Sequence, residues 1–460
     1  MRVKGIGSLW RRDPSSARPE YGPLRAVAAL LAVGTAFLVA RYPTPAAKPV
    51  VAEADKRAAI DQLLAVRAAA VLHHDRDAYL ATDTGTPWRA ADASVFDNMR
   101  DVPLSTWTQS IADGTKVPGT YRVQLSFQLV GVDPKPVTAT RYLSFVLDDG
   151  KWLMSADADA DSAAIGLATA AGPAPVPDFQ LWDEGPVSVL RGSHWLVMGL
   201  GGADRIAPYM AVVNQAVAAN GKVWSATGWN GTAVVEVPQT GQQLGRLLKA
   251  DPAEFYGVAA VTSGELGKAT AAAPASRVLV NPDVHMTTVG LTFVLGHELT
   301  HVQTRSWTTS TTPLWVSEGA ADYTGHLASP TLTTANSLKE LTAEVHAGVK
   351  PAALPTDASF KTTDPAALSA AYQKSWLAWR LIGELYGQTK LVAFYHAVGQ
   401  PGAAGGIAPG TGQTPDAAAA ATTTITTTAA VDEAFKSVLG TTAQAFTVKW
   451  ERYVLAEVRG

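Results

Sequence analysis

The chain contains no cysteine, which excludes disulfides and thiol nucleophiles and removes the usual ligand of closed structural zinc sites. Either side of a membrane is compatible with that absence, so the redox compartment cannot be read from it. A strong charge of one sign is also missing. Lys and Arg total 37 against 40 Asp and Glu, a formal net charge of −3. Beyond the N-terminus no extended basic stripe appears, so the electrostatic footprint of a nucleic-acid binder is lacking. Long apolar stretches are scarce. Ala26 to Ala40 carries no charge and is flanked by Arg25 and Arg41, and no second stretch long enough to cross a bilayer follows.

That stretch spans only about 22 Å as a helix against a bilayer core of about 30 Å, with Leu24, Tyr42 and snorkelling arginines to lengthen it. Arg2, Lys4, Arg11, Arg12, Arg18 and Arg25 outnumber Asp13 and Glu20 ahead of it, which predicts a cytoplasmic N-terminus. No small-x-small cleavage site follows directly, favouring an uncleaved signal anchor over a cleaved signal peptide. The expectation is a single-pass cell-membrane protein with extracytoplasmic C-terminal domains, or a secreted one. At 460 residues the chain exceeds what one hydrophobic core usually serves, so two globular units plus appendages are expected.

The most informative residues are His297-Glu298-Leu299-Thr300-His301, a match to the H-E-x-x-H pattern of zinc hydrolases. The apolar run Met286 to Gly296 leads into it and reads as a buried helix, with Thr287 or Thr288 as N-cap. Residues four apart share a helix face, so His297 and His301 can point two imidazoles at one metal while Glu298 reaches a water. A catalytic zinc takes three protein ligands and leaves a position for water. After the polar loop Ser306 to Thr312 comes Trp315-Val316-Ser317-Glu318-Gly319-Ala320-Ala321-Asp322. Glu318 is placed to be the third ligand, and Asp322, four residues on, to accept the free N–H of a zinc histidine.

HELTH followed by WVSEGAAD resembles the glutamate-zincin metallopeptidases of the thermolysin-like clan, and is most similar to their peptidase-MA-like branch. The likeness covers roughly residues 180 to 400. It implies Zn2+ on His297, His301 and Glu318, catalysis by Glu298, and an orienting carboxylate at Asp322. It also implies an oxyanion-stabilising Tyr or His from the C-terminal lobe, for which Tyr372 leads Tyr386, Tyr395 and His396. The spacing from His301 to Glu318 is slightly shorter than in thermolysin-like enzymes, and the G-x-M-E-N motif of zinc aminopeptidases is missing, so aminopeptidase specificity is not implied.

The expected fold class is α+β: a glutamate-zincin peptidase domain, with a mixed-sheet lobe, a helical lobe and the zinc site between, preceded by a small α+β NTF2-like domain. Residues 1–50 are assigned to a basic cytoplasmic segment, an anchor or signal at about 24–42 and a linker. Residues 51–162 form the NTF2-like domain, 163–178 a linker and 179–460 the peptidase domain, with a flexible insertion at about 402–428. Glu53 to Leu80 reads as helical, the region to about Ile111 as helix or loop, and Thr120 to Val130, Thr138 to Leu147 and Lys151 to Ser155 as strands turning at Asp148-Asp149-Gly150. The acidic triplet Asp157, Asp159, Asp161 lacks the Gly and Glu a calcium loop needs and reads as linker.

Further on, Pro186 to Leu200 reads as a hairpin, Arg205 to Ala219 as a helix and Val223 to Val237 as a second hairpin. Gln242 to Ala250 reads as a short helix, and Tyr256 to Thr262 and Arg277 to Asn281 as strands. By the resemblance, the last of these lines the cleft and pairs with an extended substrate. Ala366 to Tyr386, Thr389 to Ala397 and Val431 to Val458 read as helical. His73-His74 has no partner ligand at metal spacing and reads as solvated surface. The function expected is a zinc metallopeptidase acting on a peptide or protein substrate, with membrane attachment through the N-terminal segment and no nucleic acid. The alternatives are a non-catalytic peptide- or ligand-binding protein on a peptidase scaffold, or a zinc-dependent hydrolase of a non-peptide amide.

Overall fold

The computed structural model describes residues 53–114, 119–157, 176–229, 232–263, 275–400 and 429–459. The apolar run Ala26 to Ala40, most of the linker, Asp159 and Asp161, the Asn230-Gly231 turn and the 402–428 insertion lie outside the described residues. Residues 1–56 belong to a separate unit from residues 57–460.

Helix α1 (Glu53–His73) buries Ile60, Leu63, Leu64, Ala68 and Val71, the stripe that a half-buried helix requires. Asp75 accepts a hydrogen bond from Ala78 N (3.0 Å) and so starts α2 (Arg76–Leu80), and α3 (Trp88–Asn98) follows. An antiparallel meander comes next, β1 (Leu104–Gly114), β2 (Thr120–Leu129), β3 (Val137–Asp148) and β4 (Lys151–Asp157). Asp149 and Gly150, at φ 44 and 78, form the two-residue turn between β3 and β4, where positive φ matches the strand twist. Strand β1 corrects the helix or loop expected up to Ile111. It is an edge strand with two register shifts, and among its residues of described burial only Trp107 is buried, so its sequence carries no clean alternation.

The second sheet has the order β5-β6-β7-β9-β8, built from β5 (Ser188–Arg191), β6 (Trp195–Gly199), β7 (Ala233–Val237), β8 (Ala260–Ser263) and β9 (Arg277–Val280). It is mixed: β6, β7 and β9 run parallel, while β5 and β8 pair antiparallel at the two ends. Pro208 separates α4 (Ala203–Ile206) from α5 (Tyr209–Trp224), so the helix expected from Arg205 starts later and runs further. The second hairpin does not form. Val223 and Trp224 end α5, and β7 is a single strand parallel to β6. All five residues of β7 are buried, and such a run has no period to separate strand from helix. Helix α6 (Gly241–Leu248) is capped by Thr240.

The remaining elements are α7 (Thr288–Thr304), α8 (Leu314–Ala328), α9 (Thr334–Ser337), α10 (Lys339–His346), α11 (Pro365–Tyr386), α12 (Gln388–Gly399), α13 (429–437) and α14 (Ala443–Glu457). Trp224, Trp315, Trp376, Trp379, Phe394, Phe435 and Trp450 fill their shared core. With two sheets and many helices the protein is α+β. Among the described residues no helix is long and apolar enough to cross a membrane.

The two sheets share apolar packing. Trp107 and Phe127 of the meander meet Trp182, ring centroids 5.8 and 5.1 Å away, in one buried cluster with Leu196, Met198 and Val234 of the second sheet. Buried ion pairs reinforce the joint. Arg277 on β9 holds Asp133 through two hydrogen bonds (2.6 and 2.8 Å) and lies 3.5 Å from Glu236 on β7. Arg141 on β3 binds Asp157 and Asp183 (2.6 and 2.7 Å), so Asp157 is committed to a guanidinium. Removing one partner from such a pair strands a buried charge. Asp133→Ala is therefore expected to destabilise the protein by about 3–5 kcal/mol in urea unfolding of the full chain, and a cost below about 1 kcal/mol would contradict a joint held by this pair.

Candidate metal centre

Helix α7 begins where Thr287 accepts a hydrogen bond from Gly290 N (3.1 Å). It is clamped from behind by fully buried Asn220 of α5, whose amide donates to Gly296 O (2.9 Å) and accepts from Thr300 Oγ1 (3.0 Å). These two contacts bracket His297. Helix α8 approaches the same stretch closely. A Cβ on Gly296 would stand 2.8 Å from Ala328 Cβ, and one on Gly325 would stand 2.9 Å from the Phe293 ring, distances that real side chains do not adopt. Trp224 Nε1 ties α8 to α5 through Thr324 Oγ1 (2.9 Å). Gly319, beside Glu318, lies against Trp379 and the Ser375 carbonyl with no room for a side chain, which brings α11 and Tyr372 close.

His297, His301 and Glu318 converge as a result. The two Nε2 atoms are 3.1 Å apart, and Glu318 Oε2 lies 3.3 Å from His297 Nε2 and 3.5 Å from His301 Nε2. Ligands at about 2.0–2.1 Å around a tetrahedral ion stand about 3.3 Å from each other, so this triangle has the dimensions of one face of such a site. The three residues can hold a metal ion.

Asp322 Oδ1 lies 2.8 Å from His297 Nδ1. With the proton on Nδ1 in that contact, the Nε2 lone pair faces the centre. Burial opposes charge on His297, but the Asp322 and Glu318 carboxylates outweigh it and raise its pKa well above 6.5. Burial alone would also raise Glu318, yet the His301 and His297 imidazoles hold its carboxyl well below the usual range. These shifts favour a proton on His297 and a negative charge on Glu318.

Glu298 is buried, and Thr262 Oγ1 on β8 lies 2.5 Å from its Oε2 and 3.1 Å from its backbone carbonyl. Thr262 has no sequence signal; the contact spans 36 residues. Of the oxyanion candidates, Tyr372 alone stands at the centre. Its ring is 6.3 Å from that of His297, and burial, then Glu318, Asp322 and Glu298, push its phenol pKa up. Tyr395 is buried and spends its hydroxyl on Thr308 (2.7 Å), and exposed His396 meets Gln400 (2.9 Å). Tyr386 leaves its buried hydroxyl without a partner. His326, not anticipated, donates from Nδ1 to the Asp322 carbonyl (2.8 Å) and stacks on Trp376 at 3.7 Å, buttressing Asp322.

The strand expected to line the cleft needs correcting. Arg277–Val280 is β9, paired on both sides, whereas β8 is at the sheet edge and touches Glu298. An interior strand has no free ladder to offer. No protein-family model matches this chain, and no curated protein matches it significantly.

Metal must displace the proton that His297 shares with its carboxylates. Because the folded pKa is raised, stabilisation by that proton is complete below about pH 6.5 and fades as pH rises through the folded value. Metal affinity is therefore expected to strengthen with rising pH, with about one proton released per ion in calorimetric titrations run in two buffers. Uptake without proton release would contradict the shared proton. Asp322→Asn is expected to weaken the metal by about 10–100-fold without abolishing it, and unchanged affinity would remove Asp322 from the site.

Proposed function

We propose that this protein is a zinc metallopeptidase of the glutamate-zincin type. The observation that carries the reading is the His297, His301, Glu318 triangle with sides of 3.1–3.5 Å, flanked by Glu298 and Tyr372 as carboxylate and phenol. Two imidazoles and one carboxylate are a donor set suited to zinc, with no fourth protein ligand among the described residues to close the site. Zinc bound there would supply a Lewis acid for the scissile carbonyl and lower the pKa of water to about 7.

The chain's own residues supply the rest. Glu298 takes the proton from the attacking water and passes it to the departing amine, held by Thr262 on the edge strand. Tyr372, kept protonated by its surroundings, donates to the oxygen that gains charge. An extended peptide adds alongside β8. The four-stranded meander with α1 to α3 is read as an NTF2-like unit, and the run Ala26 to Ala40 as the membrane anchor or export signal of a cell-surface or secreted enzyme. A non-peptide amide would serve the same chemistry. A purely binding role leaves Glu298 without a use.

Casein hydrolysis by the zinc-loaded full chain tests the reading. Glu298→Ala is expected to keep its zinc and lose about 10²–10⁴-fold in turnover, and Tyr372→Phe about 10²–10³-fold. Wild-type turnover in Glu298→Ala would end the peptidase reading, and equal zinc loss in that variant would make Glu298 a ligand instead.

A further inference from the structure

The protein neutralises its buried arginines with carboxylates. Arg67 meets Asp83 and Asp92, Arg141 meets Asp157 and Asp183, and Arg277 meets Asp133 and Glu236. Arg305 does not follow this rule. It is only partly exposed, its Nε is buried without a partner, and among the described residues its guanidinium makes no hydrogen bond or ion pair. Burial holds its pKa below the ordinary arginine value against the opposing pull of Tyr395 and Glu298, yet an arginine stays charged at any physiological pH. A partly desolvated cation without a counter-charge is costly to keep.

Its position shows what the charge faces. Arg305 caps α7 in helical conformation (φ −52, ψ −41), four residues after His301 and seven after Glu298. Those offsets put all three on one stripe of the helix, with Arg305 about 6 Å further along the axis than His301. Helical side chains lean toward the N-terminus, a geometry that directs a side chain at this position back toward His301. The Tyr395 hydroxyl meets Thr308 Oγ1 (2.7 Å), three residues beyond Arg305, at the same end of α7.

We infer that Arg305 is an anion subsite beside the metal centre, and that the substrate carries a carboxylate that pairs with it. The inference rests on the metallopeptidase reading and narrows it to substrates with a carboxylate close to the reacting bond, either a chain terminus or an acidic side chain. A planar guanidinium matches a carboxylate with two parallel hydrogen bonds, and the incoming group supplies the counter-charge that the chain itself does not.

The test uses the full chain loaded with cobalt, whose thiolate absorption band reports binding of a mercaptoacetyl ligand at the metal. Three carboxylate probes are each compared with the matching carboxamide: mercaptoacetyl-glycine and the longer mercaptoacetyl-aminohexanoate, which carry terminal carboxylates, and the α-amide of mercaptoacetyl-aspartate, which carries a side-chain carboxylate. At least one carboxylate should bind about 10–100-fold tighter than its carboxamide, the range for hydrogen bonds to charged groups. The better of the two carboxylate types identifies the source. Arg305→Gln should bring the ratio to about one with cobalt uptake unchanged, and Arg305→Lys should retain part of it.

A ratio near one for every pair in the wild-type protein overturns the subsite, and so does a ratio that survives Arg305→Gln. The wild-type comparison decides the matter even where Arg305→Gln fails to fold. Absence of cobalt uptake by the wild type overturns the metal-centre reading and the subsite with it, whereas uptake with a ratio of one overturns the subsite alone.

Discussion

The site depends on α7 and α8 meeting almost backbone to backbone. Gly296 and Gly325 leave no room for a Cβ on either side of the crossing, and each lies within a turn or two of the residues that converge. Glutamate is short relative to a helix diameter of about 10–12 Å. Only at this separation can Glu318 stand 3.3 and 3.5 Å from two imidazoles of the neighbouring helix while Asp322, one turn further on, reaches the far side of His297. A methyl group at the crossing would part the helices and open the triangle.

Other elements serve to hold that crossing. Asn220 grips α7 on both sides of His297, and Trp224 grips α8 through Thr324, so α5 sets the two helices in register from behind. Beneath them the mixed sheet presents β8 to Glu298, and the sheet is joined through Arg277 and Asp133 to the meander of the first 100 or so described residues. The meander is thus part of the foundation on which β9 and its neighbour β8 rest. Buried charges are matched throughout this foundation, which makes the unmatched Arg305 conspicuous.

Residues with short, periodic chemistry were legible in the sequence. His297 and His301 are one helical turn apart with Glu298 between them, and Glu318 and Asp322 repeat that spacing, so their grouping follows from helix geometry once two helices are recognised. The helices α7, α11 and α12 and strands β2 to β4 were likewise legible, because half-buried elements alternate at a fixed period. What failed has a common cause. β1 is an edge strand with bulges, and β7 is buried on both faces, so neither shows a period, and the hairpin read across residues 223–237 was a helix end followed by a parallel strand. Thr262, Asn220 and His326 act through contacts made by the fold, and the order β7-β9-β8 depends on non-local pairing that spacing does not encode. Tyr372 was separable from Tyr395 and His396 only by which face of its helix meets His297.

The central claim is that two helices present two imidazoles and one carboxylate to a single zinc ion. X-ray absorption spectroscopy of the zinc-loaded full chain measures this directly. The account predicts a four- or five-coordinate shell with two imidazoles at about 2.0–2.1 Å and oxygen donors at about 2.0–2.2 Å, losing one imidazole's multiple-scattering contribution in His301→Ala. An all-oxygen octahedral shell, or an imidazole count that does not change in that variant, would contradict it.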